Sequence, residues 1–198
     1  MKKIRLLLGA LTMIPHIVIF LLCKYNLMSR GVILEDFYRW KAIKGIEGND
    51  LFAFVKLLIE NKELRSVFYW RLGKLARYLF FWFPGRINLY LFTNPHNVGG
   101  GFYVGHGWGT VVNAKSIGKN FRVGQNVTIG SRNVKEPIIG DNVSVWANAI
   151  VIGDVTIGDN THIGAGAVVV KNVPVNCVVV PPKSTIIKKD GMRVDIPL

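Results

Sequence analysis

Four histidines and two cysteines are the side chains of this 198-residue sequence best suited to chemistry near neutral pH. One of them stands where little would crowd it: His106 lies between Gly105 and Gly107 and is followed by Trp108 and Gly109. An alcohol is a poor nucleophile near pH 7, and a neutral imidazole with an unperturbed pKa of ~6.5 can take its proton as it attacks. A lone histidine is more often structural, so the glycine setting is what singles this one out. His16 sits in an apolar run and His162 at an outward repeat position, and neither is expected to react. His96, in Asn94-Pro95-His96-Asn97, enters the same region close to His106 and is a candidate for touching a substrate. Cys23 and Cys177 show no CxxC pair and no Cys/His ligand spacing, which leaves a metal or redox centre without support. Both read as small buried apolar residues in a reducing compartment.

A base of this kind needs a rigid frame to present it. From residue 98 onward an aliphatic recurs at every sixth position, commonly followed by glycine: Val98, Val104, Ile117, Val123, Ile129, Ile139, Val145, Val151, Ile157, Ile163 and Val169. Thr110 holds the phase before one extra residue shifts it, and residues 131–138 contain an insertion of four. A six-residue period means one short strand per face of a triangular coil, with the aliphatic stacked on the coils above and below. Gly140-Asp141-Asn142 and Gly158-Asp159-Asn160 suit the corners, since these residues tolerate positive φ. An antiparallel sheet, with period two and hairpin turns, does not keep such a phase over roughly eighty residues. The expected class is α+β: a helical region over 1–90, a left-handed parallel β-helix over 91–180 and a C-terminal tail over 181–198.

The first half is basic and apolar together. Residues 1–90 hold 15 Lys and Arg against 6 Asp and Glu, and residues 91–198 hold 10 against 6, within a net charge of +13. Because the cations sit among apolar runs such as Tyr78–Phe83, an anionic membrane surface fits them better than nucleic acid. After Lys2, Lys3 and Arg5, Leu6–Cys23 is apolar apart from Thr12 and His16, and Lys24 and Arg30 follow. Its length is at the lower limit of a spanning helix, which needs ~20 residues, and Pro15-His16 weakens that case. A helix lying in the membrane surface, a helix packed on protein and a true span all stay open; no small-residue cleavage pattern supports a signal peptide. Glu35-Asp36 precede Phe37, Tyr38 and Trp40, and Asn49 is a plausible N-cap for the run to Glu60. Leu64, Val67, Phe68, Arg71, Leu72, Leu75 and Leu79 form one helical face that Pro84-Gly85 ends. Phe80, Phe81, Trp82 and Phe83 in succession cannot all meet one core.

With these residues in view, the sequence resembles the hexapeptide-repeat acyltransferases, in the serine-acetyltransferase-like branch that includes members tied to capsular and exopolysaccharide synthesis. The likeness covers about residues 60–190 and rests on Gly99-Gly100-Gly101-Phe102-Tyr103-Val104-Gly105-His106-Gly107, Ala114-Lys115-Ser116-Ile117-Gly118, Val127-Thr128-Ile129-Gly130 and Ile163-Gly164-Ala165-Gly166-Ala167-Val168-Val169. It implies acetyl-CoA as donor, a hydroxyl as acceptor, a homotrimer with the site between subunits, and His106 as the catalytic base. It further implies Gly130, Ser131 and Ala147 along the pantetheine arm, with Ala165 and Lys171 further on. Lys183, Lys188 and Lys189 are candidates for the phosphates. Trp108, which could stack on a sugar ring or make a subunit contact, Asn113, Glu136 and His96 are the candidates for the acceptor.

The chain departs from the serine-specific pattern. That branch usually has Asp just before the histidine, a second Asp about fifteen residues earlier and an Arg-His-Pro element; here stand Gly105, Leu91 and Lys135-Glu136-Pro137. Free serine would want an opposite charge for each end, and the acids nearest the histidine are absent, whereas a sugar hydroxyl needs no such pair. Asn94, Asn97, Glu136 of a neighbouring subunit or a backbone carbonyl are left to orient His106. Val180-Pro181-Pro182-Lys183 replaces the family's closing element, which weakens the carry-over of CoA contacts there. The leading expectation is an O-acetyltransferase acting on a lipid-linked or other sugar at the inner face of the cytoplasmic membrane. A serine O-acetyltransferase and a non-catalytic trimeric scaffold are the alternatives.

Overall fold

The computed structural model describes residues 2–28 and 31–198, and their side chains apart from residues 2–11 and 77; the expectations resting on the side chains of Lys2, Lys3 and Arg5, and on Arg30, lie outside the described residues. Five coils of a left-handed parallel β-helix fill the second half. Its first sheet is β1 (Leu89–Leu91), β3 (Thr110–Val112), β6 (Thr128–Gly130), β9 (Ile150–Ile152) and β12 (Val168–Val169). The second is β4 (Ser116–Ile117), β7 (Ile138–Ile139) and β10 (Thr156–Ile157), extended by bridges from Val98 and Val173. The third is β2 (Tyr103–Val104), β5 (Arg122–Val123), β8 (Ser144–Val145), β11 (His162–Ile163) and β13 (Val178–Val179). A hairpin of β14 (Thr185–Lys189) and β15 (Met192–Pro197) occupies the segment read as a tail.

The aliphatics of the repeat stack in register: Leu91, Val112, Ile129, Val151 and Val169 in the first sheet, and Val104, Val123, Val145, Ile163 and Val179 in the third. One expectation is corrected here. Val112, not Thr110, is in register with Ile129, so the turn holding His106 is longer than a plain repeat and the phase returns in the short step to Ile117. Thr110 is buried too, and its hydroxyl donates to the Gly124 carbonyl at 2.8 Å.

The corners are corrected as well. Positive φ belongs to Asn120, Asn142, Asn160 and Asn176 on one corner and to Asn126 and Asn148 on another, with Gly101, Gly109 and Gly166 in the same columns. Gly140 and Gly158 are not in that region. A Cβ on Gly140 would stand 2.1 Å from Asp159 Oδ1, just as one on Gly118 would meet Asp141 Oδ1 at 2.2 Å. These glycines make room for an aspartate one coil on, whose carboxylate accepts from the backbone N–H of Lys119 or Asp141. The Asn side chains link from coil to coil, Asn120 to Asn142 to Asn160 to Asn176, at 3.0, 3.0 and 3.1 Å.

Helices α1 (Lys2–Lys24), α2 (Gly31–Ile43), α3 (Asp50–Glu60), α4 (Lys62–Leu72) and α5 (Lys74–Leu79) precede the first coil, α3 being capped by the Asn49 side chain as expected. The face read as one helix over 63–83 breaks at Gly73, whose φ of 97° is open to glycine, so Leu75 and Leu79 end up exposed. Arg71 and Asp36 fasten the helices to the coil. Arg71 Nε and Nη2 donate to the Asp36 carboxylate at 2.8 and 3.2 Å, and its remaining N–H groups reach the carbonyls of Pro95, Val98 and Gly99 at 3.0, 2.7 and 2.6 Å. Asp36 also accepts from the Phe102 amide at 2.7 Å. The void beside the pair is about 10 Å³, room for one water at most. Trp40 Nε1 and Trp70 Nε1 donate to the carbonyls of Phe102 and Thr93. Glu35 fills the space that a Cβ on Gly100 would need.

On α1, Met13, His16, Phe20 and Cys23 form a buried stripe, with Phe20 stacked on Phe54 and edge-on to Phe37. The opposite side leaves Ile14 and Val18 half exposed, and among the described residues no helix is long and apolar enough to cross a membrane. His16 Nδ1 donates to the Thr12 carbonyl, and the one proton of the Tyr69 hydroxyl lies between two acceptors, His16 Nε2 at 2.9 Å and the Phe83 carbonyl at 2.8 Å. Phe68, Phe80 and Phe83 surround the ring. Burial lowers the His16 pKa to about 4.

Two tests follow from the packing. Asp36→Ala leaves the Arg71 charge buried without its partner and is expected to cost about 3–5 kcal/mol in urea unfolding; a loss under about 1 kcal/mol would contradict the clamp. For His16 the unfolded chain binds the proton more tightly than the native one, so its contribution is complete above about 6.5 and falls as pH drops through about 4, by an amount on the order of 3 kcal/mol. Burial, opposed by Arg71, raises Asp36 to about 6, which works in the other sense over the range from about 4 to 6. The check is therefore the difference in stability between the wild type and His16→Phe, which should shrink on acidification; a pH-independent difference would refute it.

Candidate functional site

His106 occupies the turn between the third sheet and the first with φ of 64°, in a left-handed conformation that a histidine rarely takes. The ring is exposed, and among the described residues it has no hydrogen-bond partner. The turn is tight: Trp108 N–H donates back to the His106 carbonyl, and Asn126 N–H donates to that of Trp108 at 2.6 Å. The backbone N–H groups of His106, Gly107 and Gly109 have no partner among the described residues, so the turn offers free donors beside an unhindered base.

What holds the turn from below is a pair that sequence reasoning missed. A Cβ on Gly107 would come within 3.1 Å of Glu63 Cγ, so Gly107 is where α4 meets the turn. The Glu63 carboxylate binds Arg86 at 2.6 Å, and the Arg86 guanidinium lies 4.1 Å from the Trp108 ring centre. Trp108 is 52% exposed with that face taken by Arg86. Glu63 and Arg86 are 23 residues apart, with no motif between them, and only the docking of the helices brings them to the histidine. The two acids of the serine-specific pattern stay absent at Gly105 and Leu91, and the acid that reaches the turn, Glu63, comes from a helix.

The remaining candidates fall on two corners. Ala147 and Ala165 continue the ridge that His106 and Trp108 begin: Asn148 N–H donates to Gln125 O, and Gly166 N–H to Ala147 O, from coil to coil. His96, Asn113, Gly130, Ser131, Glu136 and Lys171 belong to the corner between the first and second sheets, on the far side of β3 and β6 from His106. Gly130 has open space where a Cβ would stand, Ser131 is exposed, and Glu136 is half-buried. The insertion after β6 closes through a bridge between Arg132 and Lys135, and Lys135 pairs with Asp154 at 2.6 Å. Asn94 caps the turn at His96 and Asn97 donates to the Lys115 carbonyl, so both are engaged at that far corner and do not orient His106 within one chain. Lys183 is exposed between the last coil and the hairpin, and Lys188 and Lys189 lie on β14. Cys23 is buried as expected, Cys177 is only half-buried, and the two are far apart in the chain.

Comparison with known proteins agrees with this architecture. The bacterial transferase hexapeptide family (six repeats) matches residues 136–171. Serine acetyltransferase of Staphylococcus aureus is 39% identical over 102 residues, which is 49% of this chain and 48% of that protein. The putative colanic acid biosynthesis acetyltransferase of Escherichia coli is 40% identical over 93 residues, 45% of this chain and 57% of that one. The chain thus spans about half the length of the curated relatives it matches. Among solved structures, serine acetyltransferase 1 of Entamoeba histolytica in complex with L-cysteine superimposes with a TM-score of 0.60 at 19% identity, covering 76% of this chain and 62% of the other. Serine acetyltransferase of Neisseria gonorrhoeae in complex with serine gives 0.60 at 23%, covering 76% and 66%. At those identities the structural likeness establishes the fold.

Proposed function

We propose that this chain, a hexapeptide-repeat β-helix similar to the serine-acetyltransferase-like acyltransferases, is an acetyl-CoA-dependent O-acetyltransferase whose acceptor is a sugar hydroxyl in surface-polysaccharide assembly. The observation that carries the reading is His106 itself: an exposed imidazole, free of partners, held in a left-handed conformation on the ridge that Ala147 and Ala165 continue. In this reading His106 takes the hydroxyl proton as the oxygen attacks the thioester carbonyl. A free N–H of Gly107 or Gly109 receives the oxyanion, the C–S bond breaks, and the imidazolium returns the proton to the departing thiolate. No covalent enzyme intermediate is needed.

The split of the candidate residues between two corners supports a homotrimer. Residues on opposite edges of the first sheet can face one ligand when the His106 ridge of one copy meets the Gly130–Glu136 corner of the next. Association with an anionic membrane surface is supported by the exposed Leu75, Tyr78, Phe81 and Trp82 around α5, while the neighbouring Phe80 packs inward. These features suit a lipid-linked acceptor at the inner face of the cytoplasmic membrane.

Serine is the second reading, because relatives 39% identical carry that name and because Glu63 and Arg86 set one charge of each sign beside the turn. Against it, the two charges are already spent on each other. In the third reading the trimer is a scaffold without activity. The deciding measurement is thiol release from acetyl-CoA by wild type and His106→Ala with L-serine and with nucleotide- and lipid-linked sugars. The expectation is turnover with a sugar and a loss of about 10²–10⁴-fold in the variant. Turnover with serine alone would replace the acceptor, and turnover that His106→Ala leaves unchanged would overturn the mechanism.

A further inference from the structure

At the third sheet, Arg122 on β5 and Arg39 on the neighbouring helix α2 form no ion pair among the described residues. Arg39, on α2, lays its Cδ 3.3 Å from where a Cβ on Gly101 would stand, and its neighbour Trp40 packs on Tyr103 with ring centres 4.4 Å apart. Tyr103 is the register partner of Arg122, whose guanidinium lies 5.3 Å from the Tyr103 ring centre and 4.5 Å from that of Trp146. The contacts through Gly101, Trp40 and Tyr103 bring both arginines to the same part of the sheet, and burial, aided by the Arg122 charge and opposed by Asp36, pushes Arg39 below its usual value. Arg39 Nη1 is buried without a hydrogen-bond partner. Among the described residues neither arginine has a carboxylate within 4.0 Å. Of the two acids one turn away on α2, Asp36 is taken by Arg71 and the Phe102 amide, and Glu35 packs at Gly100 and forms no ion pair with either arginine among the described residues.

Arginine keeps its proton in proteins, so the pair cannot relieve itself by titration. Two like charges and an orphaned donor cost free energy in the empty protein, and an anion bridging them removes both costs. Two planar forks suit the several oxygens of a phosphate better than a single point charge would. Next in register after Arg122 comes Ser144, and the partly exposed Trp146 ring adds a flat apolar surface beside the cations. We propose that Arg39 and Arg122, flanked by Trp146, form a binding site for a phosphate-bearing ligand on the outer face of the third sheet.

The site also bears on the acceptor. Tyr103 is in register with Arg122, and His106 follows Tyr103 by three residues, at most about 10 Å of chain. A phosphate held at the arginines would place an attached sugar toward the imidazole, which makes the acceptor a phosphorylated or pyrophosphate-linked sugar. That second step rests on the acetyl-transfer reading, whereas the anion site does not.

Calorimetric titration of the full-length protein with inorganic pyrophosphate, at constant ionic strength, tests the site without any turnover. The expected result is saturable binding that weakens about tenfold or more in Arg39→Gln and in Arg122→Gln. Arg122→Lys, which keeps the charge and a stem over Trp146 but loses the fork, should fall between; unchanged circular dichroism secures the fold of each variant. Absence of saturable binding by wild type, or equal affinity in all variants, overturns the site. A change in sedimentation of Arg122→Gln without pyrophosphate binding would assign the pair to a subunit contact and overturn it too. Titration with phosphatidylglycerol vesicles and with CoA separates the sources: arginine-dependent binding of pyrophosphate that CoA does not displace and vesicles do not mimic supports the acceptor, and displacement by CoA or preference for vesicles overturns that assignment. Failure of acetyl transfer would leave the pyrophosphate curves intact, so the two ideas fall separately.

Discussion

The Asp36–Arg71 contact is the constraint on which the arrangement of this protein depends. A guanidinium withdrawn from water must satisfy all of its N–H groups or forfeit several kcal/mol, and Arg71 does so with one carboxylate and three carbonyls of the segment leading to β2. That requirement fixes α2, α4 and the first turn of the coil relative to one another in a way that apolar packing, being non-directional, could not. Burial raises Asp36 and Arg71 opposes the rise, so the pair is a balance of large terms rather than a simple gain.

The same docking shapes the turn at His106. A parallel coil alone would carry an ordinary corner between Val104 and the next sheet. Here the segment is lengthened, Gly107 admits Glu63 from α4, and Arg86 covers one face of Trp108. The histidine is therefore supported by helices and coil together. Its unusual φ is tolerable because both flanks of the turn are pinned, by the Gly105 N–H to the Val123 carbonyl before it and by the Asn126 N–H to the Trp108 carbonyl after it.

Much of the coil was legible from residues alone, because a stacked solenoid writes its period directly into the chain. Val104, Val123, Val145 and Ile163 could be placed without coordinates. Thr110 was misjudged because it is small and buried like its neighbour Val112, and burial alone does not reveal register. Gly140 and Gly158 were given the wrong reason: Gly140 leaves room for Asp159 and Gly158 for the Pro174–Val175 backbone, each a full coil away, a distance that local φ preferences do not encode. The helix over 63–83 was read through Gly73 because a lone glycine is often tolerated in a helix. Glu63, Arg86 and the approach of Arg39 to Arg122's sheet left no trace in the sequence, since contacts between α2, α4, the link to β1 and the coil have no fixed spacing.

The two ends of the solenoid are not alike. The first coil is sealed by helices through Arg71, Trp40 and Trp70, while the last coil exposes Val170, Val175, Val178 and Val180 and is followed by a hairpin. Each coil touches only its neighbours, and the asparagine column ties each to the next with a single amide link. Local opening in such a structure proceeds from the weaker end. Amide hydrogen exchange thus becomes a ruler along the coil axis, fastest near Val179 and slowest beside Val104, and the His106 turn lies at the slow end, in the region that opens last.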